Sequence, residues 1–125
     1  MGGLMNENTA RNKSKKFAVR IVHLYKYLCE KKMEYVLSKQ LLRSGTSIGA
    51  NLAEAEYAIS DKDFLSKIYI ALKEIGETIF WLDLLFETKY LTETEYQSIN
   101  KEALELLKML KATTKTLSNK QKTKL

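Results

Sequence analysis

The side chains that most often carry catalysis or bind metals are scarce in this chain. Its 125 residues include one histidine, His23, and one cysteine, Cys29. A single histidine excludes a di-iron bundle built on two Glu-x-x-His motifs, and it leaves too few ligands for a protein-only zinc site. A single cysteine excludes a disulfide framework. The sequence therefore predicts no metal and no cofactor.

Two arrangements of residues are candidates for catalytic groups. Cys29 follows His23 by six residues, which is not a shared helical face, and no acidic residue orients the pair. Glu74 and Glu77 lie three residues apart and could pair as acid and base, but the sequence indicates no polar cleft around them. Glycine-rich phosphate loops are also missing. We therefore expect a non-enzymatic protein with no small-molecule substrate.

The positive charge lies at the two ends of the chain. The net charge is +6, but residues 1–29 carry six basic groups and one acid, whereas residues 106–125 carry six lysines and no acid. Between them, residues 30–105 carry nine basic and 14 acidic groups. Such termini are often simply solvated, and a lysine-rich tail commonly serves solubility. An anionic partner is the competing interpretation.

Long helices are expected because the chain contains no proline and only five glycines. Apolar residues recur at helical spacing in four segments, which predicts helices at about 12–31, 38–58, 61–89 and 93–117. Ser38, Ser60 and Thr92 are the expected N-caps, the last two with an acidic residue three positions on. Residues 1–11 are a predicted flexible leader and residues 118–125 a basic, frayed tail. The expected core of the second helix includes Leu41, Ile48, Leu52, Ala55 and Ile59.

The short connections predict an antiparallel, up-down-up-down four-helix bundle of the all-α class. In this topology the first helix begins at the end of the bundle where the fourth helix finishes. The two basic runs should then form one pole, and dense like charge of this kind favours an anionic ligand such as RNA or DNA phosphate. The candidate nucleic-acid-binding residues are Arg11, Lys13, Lys15, Lys16, Lys111, Lys115, Lys120, Lys122 and Lys124.

A stripe of polar residues runs along the second helix, and the third helix carries polar residues that could pair with it. The stripe consists of Gln40, Arg43, Ser47, Asn51 and Glu54. The connection near residues 59–60 sets the register of the two helices. We therefore expect three level pairs, which are Arg43 with Glu77, Ser47 with Glu74, and Glu54 with Lys67. Charge pairing of this kind sets the register of helices rather than supporting catalysis.

Two further patterns leave alternatives open. Gly45, Gly49 and Ala53 form a row of small residues, which indicates close approach of another helix from the same bundle or from a second subunit. The tyrosines could stack on bases, although most fall on or beside the apolar stripes, which favours packing in the core or at a subunit interface. They are Tyr25, Tyr27, Tyr35, Tyr57, Tyr69, Tyr90 and Tyr96.

The segment from Gln40 to Leu85 resembles the 23S rRNA-intervening-sequence proteins, also called the four helix bundle protein family. The resemblance rests on a Gln-x-x-Arg lead-in, on Ser-Ile-x-x-Asn-x-x-Glu at residues 47–54, and on Phe-x-x-Lys followed by Ala-x-Lys-Glu and Glu-Thr in the third helix. It extends over about 16–91 when the first helix and Phe17 are included. Ala55 stands where the family often has glycine.

This resemblance implies a small antiparallel four-helix bundle that assembles as a cyclic pentamer. It also implies distant kinship with the accessory protein of diversity-generating retroelements, a basic pentameric barrel that binds nucleic acid and a reverse transcriptase. Members take their name from reading frames in insertions within large-subunit rRNA genes. Ring assembly would cover apolar stripes that are wider than one bundle needs.

The sequence thus predicts a cytoplasmic, homo-oligomeric four-helix bundle, with no signal peptide and no apolar run long enough to span a membrane. Its partners would be other copies of itself and RNA or DNA at the basic pole. The alternative is a structural or protein-interaction scaffold whose lysines serve only solubility. Small-molecule binding inside the bundle would require a sizeable apolar cavity.

Overall fold

Four α-helices account for most of residues 9–124, the part of the chain that this computed structural model describes, with side chains as far as residue 120. They are α1 (Ala10–Glu30), α2 (Leu37–Ala55), α3 (Asp61–Glu87) and α4 (Glu93–Lys124). Helices that are consecutive in the chain pack on each other, and α1 also contacts α4 through the least extensive of the four seams. This is the predicted four-helix bundle. Residues 1–8 of the predicted leader lie outside the described residues.

The core is a continuous apolar seam to which every helix contributes. Ile21, Ile48 and Ile75 are fully buried, and Leu106 is 1% exposed. Polar groups also reach the interior, since Ser14, Ser38, Ser44 and Thr78 are fully buried, each with a hydrogen bond. Of the core residues expected in the second helix, Leu41, Ile48, Leu52 and Ala55 are buried, whereas the apolar period did not predict the buried hydroxyls.

Two of the three predicted N-caps are present. The Ser60 hydroxyl accepts a bond of 3.0 Å from the Asp63 N–H at the start of α3. At the start of α4, the Thr92 N–H donates to the Glu95 carboxylate at 2.8 Å, and the Glu95 N–H donates to the Thr92 hydroxyl at 3.2 Å. Such reciprocal bonds satisfy backbone donors that a helix start otherwise leaves open.

The start of α2 differs from the prediction, because Ser38 is not its cap. The helix begins at Leu37, and the buried carboxylate of Glu34 accepts the N–H groups of Val36, Leu37 and Ser38 at 3.2, 2.9 and 2.7 Å. Burial raises the pKa of Glu34, but these three donors outweigh burial and the net shift is downward. The Ser38 hydroxyl instead donates to the Glu34 carbonyl.

Other helix ends also depart from the expected bounds. The helix α2 ends at Ala55 because the next N–H groups bond three residues back, from Glu56 to Ala53 and from Tyr57 to Glu54, which turns the chain toward the Ser60 cap. Ile59, expected in the core, is consequently 93% exposed. The helix α1 begins at Ala10, capped by Thr9, two residues before the expected start.

The end of α4 is the largest difference from the expected bounds. Its backbone is helical to Lys124, past the predicted end at Leu117. No glycine or proline follows Leu117 to stop the helix, and lysines near a helix C-terminus interact favourably with its dipole.

The small residues of α2 serve contacts inside the bundle. A Cβ atom at Gly45 would lie 2.8 Å from two carbon atoms of Ile21, and one at Gly49 would lie 3.4 Å from the carbonyl oxygen of Ser14. Both neighbours belong to α1. Of the two explanations left open by the sequence, close approach within the bundle therefore accounts for the two glycines.

We expect Gly45→Ala to lower the free energy of unfolding by about 1–3 kcal/mol, because overpacking against the stiff, fully buried Ile21 outweighs the gain in helix propensity. Gly76→Ala is the matched control, since a Cβ there meets nothing within 4 Å. It should raise the free energy of unfolding by about 0.5–1 kcal/mol. Urea titrations followed by circular dichroism measure both values, and equal effects of the two variants would contradict this account.

Candidate nucleic-acid interface

The topology brings the beginning of α1 beside the middle of α4, from Glu105 to Thr113, so that the rest of α4 continues past this end of the bundle. The Lys13 ammonium lies 3.6 Å from a carboxylate oxygen of Glu105. Ala10, Leu110 and Thr113 line one cavity. We call this end, which carries Arg11, Lys13, Lys15, Lys16, Lys111, Lys115 and Lys120, the basic end. The side chains of Lys122 and Lys124 lie outside the described residues.

Part of this charge is compensated within the chain. Arg11 forms an ion pair with Glu56, which follows α2, and Lys13 pairs with Glu105 of α4. Farther along α1, the Arg20 guanidinium pairs with Glu102 and donates to the Ser98 hydroxyl at 3.1 Å. The cations on the inner edge of α1 therefore tie it to its neighbours.

Four exposed lysines of the basic end form no ion pair with any group that the structure describes. They are Lys15, Lys111, Lys115 and Lys120. Lys111, Lys115 and Lys120 are part of α4. Lys120 lies about two turns beyond Thr113, and Thr113 lines the same cavity as Ala10, the first residue of α1. Unpaired cations on a projecting helix can approach a phosphate backbone without breaking a native contact.

An apolar cavity opens between the helix ends of the basic end. Its volume is about 310 Å³. All four helices line it, with Arg11 and Glu56 as its charged residues, and the apolar lining includes Ala10, Leu52, Ala55, Phe64, Ile68 and Leu110. We call this cavity the pit. No local sequence pattern indicates this cavity, because it depends on how the start of α1, the end of α2 and the start of α3 are placed against the middle of α4.

The polar stripe between α2 and α3 is organised around Arg43. Its guanidinium pairs with Glu77, as the register predicted, and also with the nearly buried Glu74 at 3.2 Å. The hydrogen bond from Arg43, with another from the Trp81 indole, lowers the pKa of Glu77. The second predicted charge pair is also present, since Lys67 lies 3.7 Å from Glu54. Both pairs confirm the predicted register.

Ser47, expected at the level of Glu74, uses its hydroxyl within its own helix. The Ser47 hydroxyl donates to the Arg43 carbonyl of its own helix, and the Asn51 amide likewise donates to the Ser47 carbonyl. Serines in helices readily make such bonds to the preceding turn. The hydroxyl contact that does cross the interface joins Thr78 to Ser44 at 2.9 Å, on the buried side that the polar stripe did not mark.

The residues of the two candidate catalytic arrangements make other contacts in the described structure. Glu74 and Glu77 share the Arg43 guanidinium and are held as ion-pair partners. The Cys29 sulfur lies 3.7 Å from the Ser38 hydroxyl, while His23 is exposed beside a separate groove between α1 and α4. No three histidine, cysteine or acidic side chains in the described part converge as metal ligands.

Comparison with known proteins places the chain among its relatives. Residues 6–112 match the family of 23S rRNA-intervening sequence proteins. The chain belongs to this family. A crystal structure of a protein of unknown function from the S23 ribosomal protein family of Bacteroides thetaiotaomicron is 53% identical, with a TM-score of 0.85. The match covers 86% of the present chain and 99% of that protein.

These comparisons supply a family but no biochemical activity. No curated protein matches the chain. The Bacteroides structure is itself described as a protein of unknown function, so nothing here indicates a catalytic role. Within the described range, none of the helices combines the length and apolarity that crossing a membrane requires.

The Arg43 cluster makes a direct prediction about stability. Arg43→Met should lower the free energy of unfolding by about 1–3 kcal/mol, because the nearly buried Glu74 carboxylate loses its charged partner. Lys67→Met is the matched control. Its pair with the exposed Glu54 should contribute less than about 1 kcal/mol. Urea titration at neutral pH distinguishes the two, and a loss at Lys67 as large as the loss at Arg43 would refute the central role of Arg43.

Proposed function

We propose that this family member is a non-enzymatic, cytoplasmic homo-oligomer, a cyclic pentamer, that binds RNA or DNA through its basic end. The observation that carries the nucleic-acid part is the set of exposed lysines that form no ion pair with any described residue, Lys15, Lys111, Lys115 and Lys120. They come from chain segments about 95 residues apart that only the bundle topology unites.

Electrostatics makes phosphate the natural ligand of such a surface. Lysines that neutralise phosphates release condensed counterions, and this release drives binding without regard to base sequence. No element of the described chain has the form of a base-reading motif. The proposal is therefore of binding that depends strongly on salt and weakly on sequence.

The oligomeric part is supported by apolar side chains that the bundle leaves uncovered. Val19 is 47% exposed on α1, Tyr69 and Phe80 are 46% and 57% exposed on α3, and Leu104 is 47% exposed on α4. Exposed apolar surface on several faces favours burial against other copies. The pentamer, and the distant kinship with the retroelement accessory protein, follow from the family resemblance.

A scaffold without nucleic-acid binding is the alternative function. It is favoured by the ion pairs of Arg11 with Glu56 and of Lys13 with Glu105, which neutralise two of the nine candidate cations within the chain. In that case the remaining lysines serve solubility.

Charge reversal at the basic end tests the choice between these functions. The variant Lys111→Glu/Lys115→Glu should weaken binding to single- and double-stranded oligonucleotides at least about tenfold and should flatten the dependence of affinity on salt. Fluorescence anisotropy over a range of KCl concentrations gives both quantities.

The matched control is Lys26→Glu/Lys39→Glu, which alters net charge equally through exposed lysines away from the basic end. It should leave most of the affinity intact. Equal weakening by the two double variants would indicate that net charge, rather than the basic end, governs binding. Absence of binding at low salt would favour the scaffold.

The pentamer has a separate test. Light scattering on a sizing column should give about five times the chain mass of 14.4 kDa. The double variant Phe80→Glu/Tyr69→Glu should lower that mass, because charges on an apolar contact surface oppose association. A monomer of 14.4 kDa for the unaltered protein would rule out the oligomer.

A further inference from the structure

We infer that the ligand of the basic end is single-stranded nucleic acid and that one of its unpaired bases enters the pit. This inference rests on the proposed nucleic-acid binding and adds the strandedness of the ligand and the place where a base is held. It is carried by the pit, by the exposed aromatic residue of the adjacent connection, and by the unpaired lysines around them.

The pit has the character that an unstacked base requires. Its volume is about 310 Å³, and it is lined by Leu52, Phe64, Ile68 and Leu110. A nucleobase leaving water gains from contact with apolar and aromatic side chains, and every base offers a flat face for such contact. The pit therefore suits a base regardless of its identity.

The charged residues of the pit add groups that a base or its phosphate can use. Arg11 and Glu56, which form an ion pair, both line it. A guanidinium plane can stack on a base, and its donors and the carboxylate oxygens can meet a base edge. A fully apolar occupant such as an aliphatic side chain would make no use of this pair.

The connection from α2 to α3 lies at the same end and exposes its apolar side chains. Tyr57 is 82% exposed and Ile59 is 93% exposed, between the pit-lining residues Glu56 and Phe64. Tyr57 is the most exposed tyrosine of the described chain. Proteins that bind single strands combine a basic track for the backbone with aromatic side chains on which bases stack.

Duplex does not fit this combination. In a duplex the bases are paired and stacked, so an apolar pit and an exposed tyrosine meet only the sugar–phosphate edge. Extruding a base from a duplex costs a few kcal/mol, and a single strand avoids most of that cost. The lysines Lys15, Lys111 and Lys115 would hold phosphates of either ligand, so strandedness is decided by the pit and Tyr57.

The test compares affinities for a labelled single strand and for a hairpin duplex of equal length and charge. Tyr57→Ala should weaken single-strand binding about 5- to 150-fold, the range for loss of one stacked base, and should leave duplex binding nearly unchanged. Tyr35→Ala is the matched control, because Tyr35 is also exposed, at 56%, but lies in the α1–α2 connection at the other end.

A second variant probes the pit itself. Ala10→Leu places a larger apolar group in the pit at the first residue of α1, and circular dichroism checks that the helices persist. It should weaken single-strand binding and should abolish the fluorescence change of a 2-aminopurine base in the strand. Tyr57 lies so far in solvent that its variant remains informative if Ala10→Leu does not fold.

Three results would overturn the inference while leaving the basic end intact as a nucleic-acid site. The first is equal affinity for the single strand and the duplex. The second is an equal loss of single-strand affinity in Tyr57→Ala and Tyr35→Ala. The third is unchanged single-strand affinity in Tyr57→Ala, or in an Ala10→Leu variant that folds. Any of them would show that the pit and Tyr57 do not form a base-binding site. Failure of the proposed function looks different, because no oligonucleotide would then bind even at low salt.

Discussion

Burial of one apolar seam through four antiparallel helices is the constraint on which the other features depend. Ile21, Ile48, Ile75 and Leu106, one from each helix, are almost completely removed from water. Burying a side chain of this size contributes about 1.5–3 kcal/mol, whereas an exposed ion pair typically contributes about 0–1 kcal/mol. The seam fixes which face of each helix points inward, and therefore which polar side chains can meet across the interfaces.

The seam also explains the close approach of α1 to α2. A helix can bring the branched side chain of Ile21 over a neighbour only where that neighbour has no side chain of its own, which is the position of Gly45. On the other side of α2, the Arg43 cluster lies at the rim of the seam, where Glu74 is nearly buried and Glu77 is half-buried. Packing sets the distance between the helices, and Arg43 adds a polar contact that only one register satisfies.

The fold followed from the sequence because its signals are local. The apolar period is a relation between residues one or two helical turns apart. The caps at Ser60 and Thr92 likewise join residues that are three positions apart in the sequence. The start of α2 differs from the prediction for another reason. The Glu34 carboxylate, which lies before the helix, accepts its first N–H groups, and glutamate is not among the usual N-cap residues. The helix α4 continues past its predicted end because a polar composition alone does not stop a helix, and neither glycine nor proline follows Leu117.

The site was less accessible to sequence reasoning than the fold. Topology alone was enough to bring the two basic runs to one end, but the partners of Arg11 and Lys13 come from an interhelical connection and from α4, and their register is a property of packing. The pit is even harder to predict from the sequence. It lies where α2 ends at Ala55, earlier than its apolar stripe suggested, and Ile59 remains in solvent.

The distribution of ion pairs at the basic end follows the helix dipoles. Arg11 and Lys13 lie in the first turn of α1, where the partial positive charge of the helix disfavours cations, and both are paired with glutamates. Lys120 lies near the C-terminus of α4, where the dipole favours a cation, and no described carboxylate pairs with it. The fold thus neutralises the cations that are costly to leave alone and leaves unpaired a cation that its helix stabilises. An anion that approached the end of α4 would therefore gain an attractive partner without competing for the ion pairs that hold α1 in place.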